Sequence, residues 1–168
     1  QANATATLQT MPGEESTLLY EKTIVDIFNM EAPYTKEKVQ QCIVHTGYKN
    51  VDLIPSCPEH RETNPMLCTK AQKKPVHKLL AKAVRQIKDE YDYVLIDTHP
   101  SLDIAEQNAL CCSDSILIPM RPDGYSYQGS VPITNNILEF SSDEDMNPNL
   151  NLLGAFIVAA NPRAEVFH

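Results

Sequence analysis

Asp97 is the residue of this chain whose setting most clearly suggests chemistry. It lies in the stretch YDYVLIDTHPSL, residues 91–102, where four apolar residues lead directly into the carboxylate. A carboxylate at the end of a buried strand can hold a hydrated magnesium ion against phosphate groups. The same residue could instead cap the helix or turn that follows, as aspartates often do. This short pattern alone leaves both interpretations open.

The other groups of reactive residues favour structural roles. The five histidines include no i, i+4 pair, and the acidic run SSDEDMN lacks the alternation and the glycine of a calcium loop. The five cysteines include no CxxC pair, which argues against a zinc site or a disulfide framework and favours reduced thiols in a cytoplasmic protein. Asp103 and Glu106 have the spacing of a capping box at the start of a helix, and we expect that role for them.

Length, composition and charge are those of one compact acidic domain. The chain has 168 residues, of which 42% are hydrophobic, and a formal net charge of −8. This balance excludes a nucleic-acid binder that works through its overall charge, so any such contact would need a local patch. A lysine cluster, Lys70, Lys73, Lys74, Lys78 and Lys82, is one candidate patch, although a solvated helix face is the favoured explanation. No stretch reaches the roughly 18 consecutive apolar residues of a membrane span.

Four apolar runs have the pattern of buried strands. They are VDLIP at 51–55, YVLID at 93–97, SILIPM at 115–120 and LLGAFIVAA at 152–160. The last three do not alternate polar and apolar residues, which is typical of parallel strands that are covered by helices on both faces. We therefore expect these three runs to be buried on both sides.

Helical periodicity appears between these runs. The clearest case is 75–90, where one face carries Val76, Leu79, Leu80, Ala83, Val84 and Ile87. Weaker patterns predict helices at 16–29, 35–45 and 102–113, whereas 1–15 and 56–74 are interpreted as loops. The alternation of strands and helices predicts an α/β fold with a doubly wound, mainly parallel sheet flanked by helices. Ligand sites in such sheets lie beyond the carboxyl ends of the strands, where Asp97, Pro119 and Asn161 are expected.

Four segments together resemble one protein family. They are QANATATL at the start of the chain, NVDLIPS at 50–56, YDYVLIDTHPSL at 91–102 and NALCCSDSILIPMRPDGYSYQG at 108–129. In this order they resemble the ParA-type partition ATPases, which belong to the deviant phosphate-loop class and are relatives of MinD. The resemblance runs in register across nearly the whole chain. It implies the phosphate-loop NTPase version of the predicted α/β fold.

The resemblance also implies roles for individual residues. Asp97 would orient Mg²⁺ through water, and the stretch of Thr98, His99, Pro100 and Ser101 would be the switch that senses the γ-phosphate of ATP. Residues that would contact or flank the nucleotide are Gln1, Asn3, Pro119, Pro122, Asn161 and Arg163. His99 departs from the family pattern, which usually has a second proline there, and a tolerated loop substitution is the simplest explanation.

A larger departure is the absence of a phosphate loop within the 168 residues. None of the five glycines lies in a G-x-x-x-x-G-K-[ST] frame. Without this loop the chain lacks the backbone amides and the lysine that hold the β- and γ-phosphates. We therefore expect residues 1–168 to be a single ATPase domain that is incomplete at both ends. Such a chain should not hydrolyse ATP alone, although its parent protein would be an ATPase.

The resemblance implies a function in DNA segregation. A ParA-type protein binds ATP and Mg²⁺, forms a homodimer, binds DNA nonspecifically, and hydrolyses ATP when a ParB-like partner stimulates it. Two alternatives remain at this point. The chain could be a non-catalytic relative or fragment that acts as an interaction module, or it could belong to a MinD-like ATPase that cycles on membranes through a C-terminal amphipathic helix.

Overall fold

The computed structural model describes residues 3–9, 20–56, 63–98, 103–122, 133–135 and 137–158. The chain divides into two compact units, residues 1–112 and residues 113–168, and each is described by itself. Within the described ranges no helix is long and apolar enough to cross a lipid bilayer.

The first unit is mainly helical. Its helices are α1 (Asn3–Gln9), α2 (Ile24–Asn29), α3 (Lys36–Gln40), α4 (Thr63–Ala71), α5 (Leu79–Val84) and α6 (Ile104–Cys112), with a 3₁₀ turn at Lys88–Glu90. The strands β1 (Val44–His45) and β2 (Asp52–Leu53) form a short antiparallel hairpin in which His45 lies opposite Asp52.

Side-chain caps determine where two of the short helices begin. Thr23 accepts a hydrogen bond from the backbone of Val25, and Asp26 accepts one from the backbone of Thr23, so a capping box starts α2. Thr35, the first residue of the helix predicted at 35–45, accepts a hydrogen bond from the backbone of Lys38 and starts α3. These bonds satisfy amide groups that have no partner inside the helix.

The core of the first unit is formed where α2, α3, α4 and α5 meet. Its most buried members are Ile27, Phe28, Val39, Cys42, Leu67, Val76, Leu79, Leu80, Ala83 and Ile87. The apolar face predicted for 75–90 is therefore confirmed, although α5 itself is shorter than that range. Burial of this apolar surface is the main term that stabilises the unit.

The second unit contains the parallel strands β3 (Ser115–Met120) and β4 (Asn151–Ile157). Ser115 pairs with Asn151 and Met120 with Ile157, and the register shifts between Ile116 and Leu117. The shift places Gly154 at φ +129, a backbone conformation that residues with a Cβ rarely adopt. Helical backbone also occurs at 133–135 and 137–142. The parallel pair confirms the predicted α/β class.

Several predicted elements differ from the structure. Residues 3–9 and 63–71 are helices rather than loops, and the helix predicted at 35–45 ends at Gln40 and gives way to β1. The run at 51–55 contributes only the two residues of β2, which pair antiparallel. β3 and β4 alternate in exposure instead of being buried on both faces, and Leu117 and Leu153 are exposed.

The run at 93–97 is the most informative difference. It belongs to no strand among the described residues, and Tyr93 and Leu95 are 84% and 92% exposed. The prediction of a strand buried on both faces was therefore wrong for this structure. A strand needs a neighbour to bond its amide and carbonyl groups, and apolar periodicity does not supply one.

Candidate functional site

Asp97 lies near the end of the non-helical segment 92–98, which one side chain anchors to the core. Ile96 packs against the core of the first unit, whereas Asp97 and Thr98 are exposed. The carboxylate of Asp97 is therefore accessible to solvent, directly after the residue that fixes the chain to the core. A carboxylate in this position is free to contact a hydrated cation.

The helix that follows, α6, is capped by residues other than Asp97. The carboxylate of Asp103 accepts a hydrogen bond from the backbone of Glu106 at 3.0 Å, as its spacing in the sequence predicted. The side-chain oxygen of Asn64, in α4, accepts from the backbone of Ile104 at 3.1 Å. Both bonds satisfy amide groups of the first turn. The capping of α6, one role that the sequence left open for Asp97, therefore belongs to Asp103 and Asn64, whereas the turn that Asp97 could cap instead lies outside the described residues.

Asn108 fixes α6 to the start of α5. This residue is 0% exposed, and its side-chain oxygen accepts hydrogen bonds from the backbones of Leu79 at 2.8 Å and Leu80 at 3.1 Å. Its amide nitrogen donates to the carbonyls of Val76 and Ile104, each at 2.8 Å. Lys78, at the N-cap position of α5, makes no side-chain cap of its own. Asn108 thus caps α5 from a neighbouring helix.

The first segment of the resemblance contacts the second. Thr5, in α1, is buried, and its hydroxyl oxygen accepts a hydrogen bond from the backbone of Ser56 at 2.9 Å. The sequence did not single out Thr5, because a small polar residue in an apparent loop gives no signal of a tertiary contact. This bond joins α1 to the segment that follows β2.

The other residues that the resemblance assigned to the nucleotide are only partly described. Asn3 begins α1, Pro119 lies in β3, and Pro122 follows that strand; both prolines are exposed. Outside the described residues lie Gln1, His99, Pro100, Ser101, Asn161 and Arg163. The roles of all these residues stay predictions.

A polar cluster that the sequence did not reveal lies at the β1–β2 hairpin. Asp52 bonds Nδ1 of His45 through one carboxylate oxygen at 2.7 Å and accepts from the hydroxyl of Tyr91 through the other at 2.8 Å. Gln40, Ile43 and Glu90 complete the lining of an open cavity of about 320 Å³. Within the described part of the chain, no group of three His, Cys, Asp or Glu residues could hold a metal ion.

Electrostatics of this cluster follow from its hydrogen bonds. Burial acts to raise the pKa of Asp52, but the hydrogen bonds from His45 and Tyr91 outweigh it and lower that pKa below its ordinary value. Burial, together with the hydrogen bond to Asp52, raises the pKa of Tyr91 to about 12. The cluster is thus stable with a charged carboxylate and a neutral phenol, and it ties the hairpin to the turn that precedes residues 92–98.

The helices of the first unit and the parallel strands of the second are those of an α/β protein. Residues 1–152 match the AAA domain family, AAA_31. The chain belongs to this family and is a ParA-type phosphate-loop ATPase-like protein.

Relatives and solved structures agree with this family. The chromosome partitioning protein ParA of Myxococcus xanthus is 28% identical over 138 residues, which are 82% of this chain and 47% of that protein. A ParA family protein of Mycoplasma pneumoniae is 32% identical over 69% of the chain and 40% of its own length. Cobyrinic acid a,c-diamide synthase from Mycobacterium smegmatis, solved with an ATP analog and magnesium, shares the fold with a TM-score of 0.76 at 19% identity, over 95% of this chain and 59% of that one. The chain thus spans less than half the length of these two curated relatives.

Proposed function

We propose that this chain is the central part of an ATPase that segregates plasmid or chromosomal DNA. Such a protein binds ATP and Mg²⁺, dimerises, binds DNA nonspecifically, and is released when a ParB-like partner stimulates hydrolysis. Family membership and the partition functions named for relatives such as ParA of Myxococcus xanthus support this proposal. Because folds of this class host several activities, the proposal depends on the site as well as on the fold.

The observation that carries the proposal is the solvent exposure of Asp97. Its carboxylate is exposed, and the capping of α6 is done by Asp103 and Asn64. Asp97 is therefore available to position Mg²⁺ through water, which is the chemistry that a phosphate-bound cation requires. The stretch from Thr98 to Ser101 would then sense the γ-phosphate, between this carboxylate and the anchored start of α6.

Hydrolysis requires groups that residues 1–168 do not supply. No G-x-x-x-x-G-K-[ST] frame occurs in the sequence, so the amide cradle and the lysine would have to come from elsewhere in the parent protein. In this proposal the 168 residues are one incomplete ATPase domain, with Gln1, Asn3, Pro119, Pro122, Asn161 and Arg163 near the nucleotide. The parent protein acts as a homodimer in the cytoplasm.

A comparison of two aspartate variants tests the proposal. The complete open reading frame should be expressed, and Mg²⁺-dependent ATP binding and phosphate release measured for the wild type, Asp97→Ala and Asp92→Ala. Asp92 is also exposed and lies five residues earlier, so its variant removes the same charge from the same segment. We expect Asp97→Ala to lower the rate by about 100-fold or more, which is about 2.7 kcal/mol of transition-state stabilisation, and Asp92→Ala to retain it. Wild-type activity in Asp97→Ala would refute the role of Asp97.

The second candidate is a non-catalytic interaction module. The exposed apolar side chains of Tyr93 and Leu95, with no phosphate loop among the 168 residues, favour it. The complete reading frame separates the two candidates: a phosphate loop and Mg²⁺-dependent ATP binding support the ATPase, whereas their absence from the whole protein supports the module.

A further inference from the structure

The segment that carries Asp97 has few contacts of its own. Residues 92–98 form no helix or strand among the described residues, and the side chains of Tyr93 and Leu95 are exposed. Ile96 packs against the core of the first unit, directly before the exposed Asp97. Because the segment has so few contacts, the residues that attach its start strongly influence where the carboxylate of Asp97 lies.

Tyr91, directly before this segment, is attached to the first unit in three ways. Its half-buried ring packs against the core, and its backbone amide donates to the carbonyl of Lys88 at 3.3 Å. Its hydroxyl donates to Oδ2 of Asp52 at 2.8 Å. Asp52 lies 39 positions earlier in the chain, so this bond joins the start of the segment to the β1–β2 hairpin.

The acceptor of this bond is itself held in place. Asp52 lies opposite His45 in the hairpin, and its other carboxylate oxygen bonds Nδ1 of His45 at 2.7 Å. The hydrogen bonds from His45 and Tyr91 lower the pKa of Asp52, so its carboxylate is charged at neutral pH. The phenol of Tyr91, with its pKa raised to about 12, remains a donor. A hydrogen bond to a charged acceptor is stronger than one between neutral groups.

A second contact at the start of the segment is weaker. The carboxylate of Glu90 pairs with the ammonium of Lys36, and it accepts a hydrogen bond from the amide of Gln40 at 3.2 Å. Glu90, Lys36 and Gln40 are all exposed, and exposed ion pairs contribute little. The bond between Tyr91 and Asp52 is therefore the stronger polar attachment of this part of the chain.

We propose that Tyr91 and Asp52 are positioning residues for the magnesium site. The proposal rests on the proposed function, for which it names residues that place Asp97 without touching the metal. Tyr91 is six residues from Asp97, which is at most about 20 Å of extended chain. Magnesium requires nearly ideal octahedral geometry, and a functional group must be held within about 0.5 Å of its working position. An attachment that fixes the course of this short segment therefore affects how well Asp97 meets the hydrated ion.

A purely structural role for the same bond makes a different prediction. A bond that only stabilises the hairpin would lower the free energy of unfolding when it is removed, and the protein that remains folded would bind metal normally. A bond that positions Asp97 would also weaken metal binding by the folded protein. Metal affinity and stability must therefore be measured separately.

Matched tyrosine variants provide this test. The complete open reading frame is expressed as wild type, Tyr91→Phe and Tyr34→Phe, and binding of Mn²⁺ in the presence of a non-hydrolysable ATP analogue is followed by electron paramagnetic resonance. Tyr34→Phe is the control, because it deletes the same atom from another half-buried tyrosine of this core, whose hydroxyl donates to the backbone oxygen of Met30 at 3.3 Å. Urea unfolding of each variant measures stability.

The expected result is a selective loss of metal affinity in Tyr91→Phe. Its Mn²⁺ binding should weaken by about fivefold, the equivalent of one net hydrogen bond, whereas Tyr34→Phe should keep the wild-type affinity. In phosphate release, Tyr91→Phe should raise the Mg²⁺ concentration for half-maximal rate by the same factor and keep kcat at saturating Mg²⁺.

Variants of Asp52 test whether the two residues act through one bond. Asp52→Leu should weaken Mn²⁺ binding as Tyr91→Phe does, and the double variant Tyr91→Phe/Asp52→Leu should bind no more weakly than either single variant. Asp52→Asn keeps an oxygen that accepts from the phenol, so it should remain closer to the wild type than Asp52→Leu.

Two outcomes would overturn the proposal and leave the magnesium role of Asp97 intact. They are equal Mn²⁺ affinities in Tyr91→Phe and Tyr34→Phe, and fully additive losses in the double variant. Asp97→Ala is measured in the same assay. If Asp97→Ala bound Mn²⁺ as tightly as the wild type, the role of Asp97 would fail, and the positioning roles of Tyr91 and Asp52 would fail with it.

Discussion

Replacement of Asn108 by leucine should destabilise the first unit strongly. Asn108 is fully buried and makes hydrogen bonds to Leu79, Leu80, Val76 and Ile104 through its side chain. Leucine has a similar volume, so Asn108→Leu removes these bonds without opening a large cavity. Two amides at the start of α5 and the carbonyl of Val76 would then lose their partner.

The magnitude follows from the groups left unsatisfied. A buried polar group without a partner costs about 1–3 kcal/mol, and the loss of a helix cap alone costs about 1 kcal/mol. For Asn108→Leu we expect a loss of about 3 kcal/mol, which is a large share of the roughly 5–15 kcal/mol that stabilises a typical domain. With a urea dependence of about 1.5 kcal/mol per molar, the unfolding midpoint would fall by about 2 M.

Urea unfolding followed by far-ultraviolet circular dichroism measures this change, since the chain has no tryptophan. The control is Gln86→Leu, which introduces the same residue, leucine, in place of an exposed amide side chain just after α5. It should change the free energy of unfolding by less than about 0.5 kcal/mol. The expected loss in the free energy of unfolding is about 3 kcal/mol. A loss of less than about 1 kcal/mol in Asn108→Leu would refute the role of Asn108 as the cap of α5.

Three further changes have definite expectations. Tyr91→Phe removes a hydrogen bond to Asp52, and should cost about 1 kcal/mol at neutral pH. Because that bond helps lower the pKa of Asp52, its stabilisation is present above the unfolded pKa and is lost as pH falls through the folded pKa, so acid titrations of stability should be flatter in Tyr91→Phe. Asn64→Ala leaves the backbone of Ile104 without its acceptor and should cost about 1 kcal/mol in urea unfolding, whereas Asn64→Asp should restore most of it. Leu95→Lys should reduce self-association of the 168-residue chain in light scattering, because Leu95 is 92% exposed in an apolar segment; a monomeric wild type would contradict this expectation.

Local signals in the sequence were sufficient for several elements. The apolar runs at 115–120 and 152–160 predicted β3 and β4, and the periodicity at 75–90 predicted the side chains that enter the core. The spacing of Asp103 and Glu106 predicted the cap of α6. These features depend on residues near one another in the chain, so propensity, period and capping chemistry are enough to reveal them.

Other features depend on residues that are distant in the chain. The bonds of Asn108 to α5 and the bond of Tyr91 to Asp52 span 28 or more positions, and neither amide nor phenol is distinctive in the sequence. The missed helix at 63–71 has almost no apolar period of its own, and only Thr63 and Leu67 are buried in it. Tertiary packing decides such elements, because it can stabilise a helix whose own sequence has no clear helical pattern.

The amino-acid sequence and the tertiary structure contribute different facts about Asp97. A carboxylate after an apolar run is visible in the amino-acid sequence, where it lies within the segments that resemble ParA-type ATPases. Contacts between distant residues were needed to show that Asp103 and Asn64 cap α6, that Asp97 is exposed, and that residues 93–97 belong to no strand among the described residues. The physical reason is that apolar pattern and capping chemistry are properties of local sequence, whereas strand pairing and hydrogen bonds between helices require groups brought together by the fold.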